Sequence, residues 1–229
     1  MLKSKFFILI FVSIILAGCR INKSAIPPEY CLIEHQKEVE EPKKPNLSRE
    51  ELIASFIHEY CGIKYPEYQF DTLIYVSVKH QRLYLVNKQR ILKEYVISTA
   101  KNGVGSKQNS MKTPLGLHTI KHKIGDGAQK NTIFISRRNS GKIAKIYMEG
   151  DAPKDYVTSR IMWLKGLEPG KNKGRGIDSY KRFIYIHGTA EEGKLGTPAS
   201  HGCIRMSNDD VIELFEIVKE GTPVLILKY

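Results

Sequence analysis

The chain has 229 residues, 41% of them hydrophobic and 26% charged, with a formal net charge of +12 at pH 7. This length is sufficient for one domain with a hydrophobic core and a tether. The positive charge favours an anionic partner, such as nucleic acid, acidic lipid or a carboxylate-rich polymer, and the export signal described next argues against nucleic acid.

The first residues have the pattern of a secretory signal. Lys3 and Lys5 precede residues 6–17, an apolar run interrupted only by Ser13. The run is too short to span a bilayer, which takes about 20 residues, but it suits the core of a signal peptide. Residues 1–18 are therefore predicted to be a signal peptide, and its removal with both lysines leaves a net charge of +10.

The run ends in Leu16-Ala17-Gly18-Cys19, which resembles a bacterial lipobox. We expect Cys19 to become the lipidated first residue and to anchor the chain at the periplasmic face of a membrane. An ordinary signal peptide that ends in cysteine is the alternative. Arg20 is not the aspartate that retains lipoproteins at an inner membrane, which favours the outer membrane. An acidic cell-wall polymer then fits the basic surface better than nucleic acid does.

A tether and a helix are predicted next. Residues 19–47 are rich in proline and charge, a composition that resists packing. Ser48 and Glu51 fit a capping box, and apolar residues follow at helical spacing, which predicts a helix from about Arg49 to Tyr60 within a segment 48–72.

From Leu73 the apolar period changes to two, which is typical of strands. The predicted strands cover residues 73–78, 82–86, 92–99, 117–124, 132–136, 142–148, 157–164, 183–186 and 224–227. Asn208 is predicted to cap a helix that Gly221 terminates. The basic loop 169–177 is interpreted either as a mobile flap or as a solvated loop. Residues 73–229 are thus predicted to be mainly β, a sandwich or barrel-like domain with a few short helices.

The chain has four cysteines. If Cys19 is lipidated, Cys31 and Cys61 could form a disulfide in an oxidising compartment, which leaves Cys203 unpaired. A free thiol there needs a functional reason, and catalysis supplies one.

Cys203 has two histidines as candidate bases. A cysteine nucleophile needs a base or a positive neighbour, because its free thiol has a pKa of about 8.5. His187 ends a predicted strand, and a glycine-containing loop can return the chain to Cys203. His201 lies two positions from Cys203. We expect His187 to be the main base and His201 to be secondary.

Further groups would complete such a site. The Gly188 carbonyl can hold the Nδ1 proton of His187, and Asp178 is a weaker candidate for that role. The backbone N–H groups of Gly202 and Cys203 could form an oxyanion hole, since Gly202 permits a tight turn.

Two stretches resemble the L,D-transpeptidase catalytic domain family (YkuD type). These are I-H-G-T at residues 186–189 and S-H-G-C-I-R-M-S-N-D-D-V-I-E-L-F at residues 200–215, and T-P-L-G at 113–116 is also similar to a turn of that family. The resemblance covers residues 73–229. It implies a β-rich domain that acts on peptidoglycan stem peptides without a metal or organic cofactor.

The resemblance also implies roles. Cys203 would attack the bond between the third stem residue, usually meso-diaminopimelate, and a terminal D-alanine, and a thioester would form. His187 would transfer the proton, with the Gly188 carbonyl as its orienter. Site-lining positions are expected at His201 and Gly202. Substrate-binding positions are expected at Arg205, Ser200 and Thr189.

Other functions are also compatible with parts of the sequence. His187, His201 and Cys203 could bind zinc, as could His118 and His122, although the latter two lack neighbouring ligands. A non-catalytic wall-binding lipoprotein would retain the basic surface, and a papain-like hydrolase would place cysteine before histidine. The acyl acceptor stays open: a second stem peptide, a lipoprotein lysine, a D-amino acid, or water in a carboxypeptidase or endopeptidase. The role of the basic segment 125–180 is also open, and a monomer is expected.

Overall fold

The computed structural model describes residues 47–229. The predicted signal peptide, the lipidation of Cys19, the tether and Cys31 lie outside the described residues, and they stay predictions. A disulfide between Cys31 and Cys61 is untested for the same reason. In residues 47–229, no helix combines the length and apolar character that a membrane span requires.

Two α-helices and ten strands make up the secondary structure of residues 47–229, together with a short 3-10 helix. The helices are α1 (Arg49–Lys64) and α2 (Asn208–Ile217), and the 3-10 helix is Glu192–Lys194. The strands are β1 (Thr72–Ser77), β2 (Arg82–Asn87), β3 (Arg90–Ser98), β4 (Gly116–Ile124), β5 (Thr132–Ile135), β6 (Arg138–Ile143), β7 (Val157–Gly166), β8 (Tyr185–Thr189), β9 (Ile204–Met206) and β10 (Pro223–Leu227).

Eight of the strands close into a ring. The sheet runs in the order β4-β10-β1-β2-β3-β9-β8-β7-β5-β6, and an additional pairing of β4 with β7 joins the two ends of its first eight strands. The hairpin of β5 and β6 extends from β7 outside this ring. The prediction of a mainly β, barrel-like domain with few helices is confirmed, and closure leaves the eight strands without a free edge.

The strands of the ring are buried on both faces where a helix covers them. In β1, Ile74 and Val76 pack into the main core, whereas Leu73 and Tyr75 pack into a second cluster beneath α1. Helix α2 contributes buried side chains to the main core, namely Val211, Leu214, Phe215 and the following Val218. Burial on both faces stabilises a barrel of this size and explains the nearly continuous apolar runs in β1 and β2.

Helix α1 begins as its sequence predicts. The Ser48 side chain accepts a hydrogen bond from the Glu51 N–H, and the Glu51 side chain accepts one from the Ser48 N–H, which is a capping box. The helix continues to Lys64, four residues beyond the predicted end, because Gly62 is accommodated within its last turn. Ile57 and Cys61 face the sheet and pack with Leu73 and Tyr75.

Other boundaries also differ from the predictions, and helix α2 ends at Ile217, before Gly221. The sixth strand is Arg138–Ile143, not 142–148. β8 begins at Tyr185, because Phe183 has a φ of 58° and cannot continue an extended strand. Helix α2 is capped by Ser207, whose side chain accepts from the Asp210 N–H, and Asn208 is its first residue instead of its cap.

The loop at 169–177 is anchored at its centre. Asn172 is fully buried, and its amide donates to the carbonyls of Leu115 and Leu117 while its oxygen accepts from the Glu168 N–H. A loop fixed in this way by three hydrogen bonds is not a freely solvated one.

Candidate active site

Two parallel strands bring the predicted site residues together. In the pairing of β8 with β9, Ile186 lies opposite Ile204 and His187 lies opposite Arg205. Both isoleucines pack into the main core. Since side chains alternate along a strand, His187 and Arg205 lie on the opposite face of the sheet from these isoleucines. Cys203 immediately precedes β9, so the topology places the thiol beside the strand that carries His187.

The Cys203 sulfur has two backbone neighbours. The Tyr185 N–H donates to Sγ at 3.4 Å, and the thiol donates to the Phe183 carbonyl at the same distance. Burial raises the pKa of Cys203 to about 12, although the Tyr185 N–H and the charges of Arg205 and Arg182 oppose that rise. The thiol is therefore protonated at neutral pH and needs a base to become a nucleophile.

His187 is arranged as a neutral base. It is 2% exposed, and its Nδ1 lies 2.6 Å from the Gly188 carbonyl oxygen. A carbonyl oxygen can only accept, so Nδ1 carries the proton and Nε2 is left to take one. Burial lowers the pKa of His187, and the negative charge of Asp155 and the Gly188 carbonyl only partly offset this. His187 is consequently uncharged at neutral pH.

The turn before Cys203 is fixed by hydrogen bonds. Gly202 has a φ of +131°, a conformation that other residues rarely adopt. The Ser200 hydroxyl donates to the Cys203 carbonyl at 2.6 Å and accepts from the Gly202 N–H at 3.2 Å. The Thr113 hydroxyl donates to the Gly202 carbonyl and accepts from the Ala100 N–H, both at 3.0 Å. These contacts hold the turn, and with it Cys203, in one conformation.

An ionic network lies beside the turn. Arg205 is 1% exposed, and its guanidinium binds Asp155 at 2.6 Å and Glu191 at 2.9 Å. The same Asp155 oxygen lies 2.7 Å from Nδ1 of His201, and Glu191 also binds Lys194 at 2.7 Å. Burial alone raises the pKa of Asp155, but His187, Arg205 and His201 outweigh it, so that pKa lies below its ordinary value. Asp155 is therefore ionised and connects both histidines electrostatically.

A polar cavity opens beside this network. Its volume is about 710 Å³, and Asp155, His201 and Arg205 line one side of it. Two other cavities, of about 400 and 460 Å³, lie against α1 and contain no residue of the Cys203 turn. Of these three cavities, the polar one lies beside the ionic network, and neither Cys203 nor His187 is among the residues that line it.

The sequence is similar to those of known proteins. A family model described as the L,D-transpeptidase catalytic domain, YkuD, matches residues 71–226. The chain belongs to the YkuD family. Two Bacillus subtilis relatives are similar to it: YkuD is 52% identical over 120 residues, covering 48% of this chain and 68% of that protein, and YqjB is 40% identical over 79 residues, covering 34% of this chain. The chain spans 39% of YqjB.

Two solved structures of L,D-transpeptidases align with this chain. An L,D-transpeptidase from Mycobacterium smegmatis aligns with 69% of this chain and 58% of its own length, at 17% identity and a TM-score of 0.41. A second, from Xylanimonas cellulosilytica, covers 74% of this chain and 68% of its own, at 16% identity and a TM-score of 0.40.

Two of the predicted site positions, Gly188 and His201, differ in their surroundings. Gly188 presents its carbonyl to His187, and a Cβ at Gly188 would lie 2.8 Å from the Thr158 carbonyl oxygen and 2.7 Å from Asn208 Oδ1. Only glycine fits there, so the position of the carbonyl depends on it. His201 lies at the surface with its side chain 66% exposed, in contrast to the buried His187.

The three positions that were expected to bind substrate are buried. Arg205, Ser200 and Thr189 are each about 1% exposed, and their polar groups bind within the protein. Each side chain thus has an internal partner, and the expected contacts of these three residues with substrate stay predictions. The Gly202 N–H is likewise engaged, by Ser200, which argues against its use as an oxyanion donor.

Sequence reasoning assigned no role to four residues of the candidate site, namely Asp155, Glu191, Tyr185 and Thr113, although Thr113 begins the T-P-L-G stretch. The candidate Asp178 instead accepts from the Lys181 N–H. Glu191 follows the I-H-G-T stretch by two positions, which is a weak signal. Asp155 is 46 residues from His201, and no local pattern marks it.

The histidines of the rival zinc reading have protein partners. His118 is fully buried, with Nδ1 at 2.9 Å from the Gly116 carbonyl and Nε2 at 2.9 Å from the Ser179 hydroxyl. His122 faces Trp163 and Tyr180, and lies 3.8 Å from a Glu220 oxygen. Within residues 47–229, no three His, Cys, Asp or Glu side chains cluster as a metal-binding set.

Proposed function

We propose that this protein is a cysteine-dependent L,D-transpeptidase of peptidoglycan stem peptides. The observation that carries the proposal is the buried His187, held through Nδ1 by the Gly188 carbonyl on the strand next to Cys203. A neutral histidine with a free Nε2 and a cysteine beside it form the base and the nucleophile of an acyl transfer.

In the first half-reaction, His187 Nε2 takes the Cys203 proton as Sγ attacks the carbonyl carbon between the third stem residue and D-alanine. The C–N bond breaks, His187 returns the proton to the leaving amine, and a thioester joins the stem to Cys203. The Tyr185 N–H, which donates to Sγ, supports the sulfur while it carries negative charge.

In the second half-reaction, an amine acceptor gives a proton to His187 and attacks the thioester carbonyl. The C–S bond breaks, and the Cys203 sulfur recovers the proton from His187. If water replaces the amine, the same steps hydrolyse the stem, which is the carboxypeptidase or endopeptidase alternative. No step requires a metal or an organic cofactor.

Ser200, Thr113 and the ionic network position these groups in our proposal. Ser200 and Thr113 fix the turn that carries Cys203, and the Arg205 guanidinium holds Asp155 close to both histidines. Arg205 and Ser200 thus position other groups of the site, and the substrate contacts that the family resemblance implies for them and for Thr189 remain predictions. His201 lines the adjoining cavity.

We further propose a location in the cell envelope. The lipobox-like sequence at Cys19 supports a lipid anchor on the periplasmic side, with the outer membrane favoured by Arg20. The net positive charge suits a carboxylate-bearing wall polymer. Metabolic labelling with a palmitate analogue tests the anchor: label in the wild-type protein and none in Cys19→Ala is the expected result.

Intact-mass spectrometry tests the catalytic proposal. The protein is incubated with a tetrapeptide-stem muropeptide, and the expected adduct has the mass of the donor less D-alanine. Cys203→Ala should form none. An adduct that persists in Cys203→Ala, or a wild-type protein that never acquires one, refutes the proposal. Chromatography of the released muropeptides then distinguishes crosslinked from hydrolysed products.

Alanine variants of His187 and His201 distinguish the roles of the two histidines. His187→Ala should abolish adduct formation, because His187 is the group that takes the Cys203 proton in this proposal. His201→Ala should retain a measurable rate, because its exposed ring contacts Asp155 and not Cys203. A larger loss at His201 than at His187 would reverse this assignment.

A further inference from the structure

The turn between β5 and β6 places an arginine over the aromatic residues beside Cys203. Ser136 and Arg137 have φ values of 47° and 68°, as in a tight hairpin turn. The Arg137 guanidinium lies 4.7 Å from the ring centre of Trp163 and 5.0 Å from that of Phe183. Trp163 is in turn stacked on Tyr180 at 4.1 Å, so the guanidinium rests on an ordered aromatic surface.

Arg137 is linked to the nucleophile through one residue. Its Nη1 donates to the Tyr185 hydroxyl at 3.3 Å, and the backbone N–H of that same tyrosine donates to Cys203 Sγ. The guanidinium is therefore one tyrosine side chain away from the reacting sulfur. A molecule that extends from Cys203 along the Tyr185 side chain would reach Arg137.

The hydrogen-bonding capacity of Arg137 is largely unused. An arginine has five N–H donors, and the Tyr185 hydroxyl is the one hydrogen-bond acceptor that residues 47–229 provide for Arg137. None of the ion pairs formed by the described residues includes it. The other two arginines near Cys203 differ: Arg205 binds two carboxylates, and Arg182 donates to the carbonyls of Gly105 and Lys112.

We propose that Arg137 binds a carboxylate of the acyl donor and so selects donors with a free carboxylate over amidated ones. This inference rests on the proposed function. A tetrapeptide stem offers two such groups, the carboxylate at the side-chain end of its third residue and that of the terminal D-alanine. A guanidinium held flat on aromatic rings presents its remaining N–H donors in the plane that a carboxylate matches.

The test compares donors as well as variants. Three synthetic tetrapeptide stems are used: one unmodified, one amidated at the third side chain, and one ending in D-alanine amide. The rate of Cys203 acylation per donor concentration is measured by intact mass for the wild type, Arg137→Gln, Arg137→Lys and Arg138→Gln. Arg138 is the matched control, because it is the exposed next residue of the same hairpin.

The loss of acylation rate in Arg137→Gln should depend on whether the donor carries the carboxylate that Arg137 binds. Arg137→Gln should slow the unmodified donor about 10-fold or more, and Arg137→Lys should recover part of the rate, since it keeps the charge without the planar fork. For the amidated stem that lacks the bound carboxylate, wild type and Arg137→Gln should react equally. That stem identifies which carboxylate is bound. Arg138→Gln should match the wild type throughout.

Two results overturn the inference. Equal slowing of all three donors by Arg137→Gln would mean that the arginine only supports the hairpin, and no slowing would mean that it has no role in acylation. These outcomes leave the proposed function intact, because the wild type is still acylated. If the wild type reacts with none of the donors, the proposed function fails first and this inference fails with it.

Discussion

Asp155→Asn should destabilise the protein, because it removes one of the two carboxylates that pair with the buried Arg205. Arg205 is almost fully buried and is held by Asp155 and Glu191. The amide of asparagine keeps the shape of the carboxylate but removes its charge. One positive charge then stays buried with a single carboxylate for compensation, and the Arg205 Nε already has no hydrogen-bond partner within the described residues.

The expected magnitude follows from that burial. Removing one partner of a buried ion pair costs roughly 3–5 kcal/mol, because the remaining charge is uncompensated. Glu191 still binds Arg205, and a quarter of the Asp155 side chain is exposed, so the lower end applies. We expect a loss of about 3 kcal/mol in the free energy of unfolding. For a domain of this size, that corresponds to a fall in Tm of about 6–12 °C.

Urea denaturation at pH 7 measures this loss, with Asp151→Asn as the control. The Asp151 side chain is 82% exposed and pairs with Lys194 near the same cavity. Solvent screens such a pair, so its removal should change stability far less. If Asp155→Asn loses no more stability than Asp151→Asn, the ionic network around Arg205 does not contribute as argued.

The pH dependence of the same variant provides an independent check. The pKa of Asp155 is lower in the folded protein than in the unfolded chain, where a value of about 3.9 is expected. Its contribution is then fully present above the unfolded pKa and is lost as pH falls through the folded pKa. The stability difference between wild type and Asp155→Asn should be constant above about pH 5 and shrink below about pH 4. A difference that grows on acidification contradicts this sign.

Three further predictions concern other buried groups. Burial lowers the pKa of His118 to about 4, so the free energy of unfolding should fall by about 3 kcal/mol from pH 6.5 to 4, because the unfolded chain binds a proton there that the folded protein does not. His118→Asn should flatten this pH dependence, measured by urea denaturation at each pH. An unchanged pH dependence in the variant refutes the prediction. Thr113→Val removes the contacts to Ala100 and Gly202, and should cost about 1–3 kcal/mol and slow Cys203 acylation, whereas a fully active, equally stable variant would show that the turn does not need them. Because burial lowers the pKa of His187, the acylation rate should hold down to a pH below about 6.5, and a decline that begins above pH 7 would contradict that shift.

Short-range patterns predicted much of the fold. Ser48 and Glu51 lie three residues apart, and their reciprocal cap depends on nothing outside that turn. Strands such as β2 were predictable because each is a short apolar run that turn residues bound at its ends. β9 was missed because it has three residues, too few for a period, and it is a strand only through its pairing with β3 and β8.

Contacts of the candidate site were predictable from the sequence only where the two contacting residues belong to the same short segment. His187 and Gly188 are adjacent, so the sequence could place the carbonyl beside the ring. Asp155 reaches His201 and Arg205 only after β7 and β8 pair and the ring closes. The substrate role expected for Arg205 came from the family resemblance, and no local pattern indicates that two carboxylates from distant segments surround its guanidinium.

The shifted pKa values of His187 and Cys203 determine how readily the resting thiol is oxidised or alkylated. Burial raises the pKa of Cys203 to about 12 and lowers that of His187, so the resting pair is a neutral thiol beside a neutral imidazole and not an ion pair. Oxidants and alkylating agents react with thiolate, and at pH 7 a thiol of this pKa supplies about one part in 10⁵. Iodoacetamide should therefore modify Cys203 more slowly than an unfolded cysteine at pH 7, whereas a donor that presents its carbonyl beside His187 still reacts, since proton transfer and attack occur together. Alkylation of the native protein faster than of the urea-unfolded protein would show that a thiolate–imidazolium pair is present at rest.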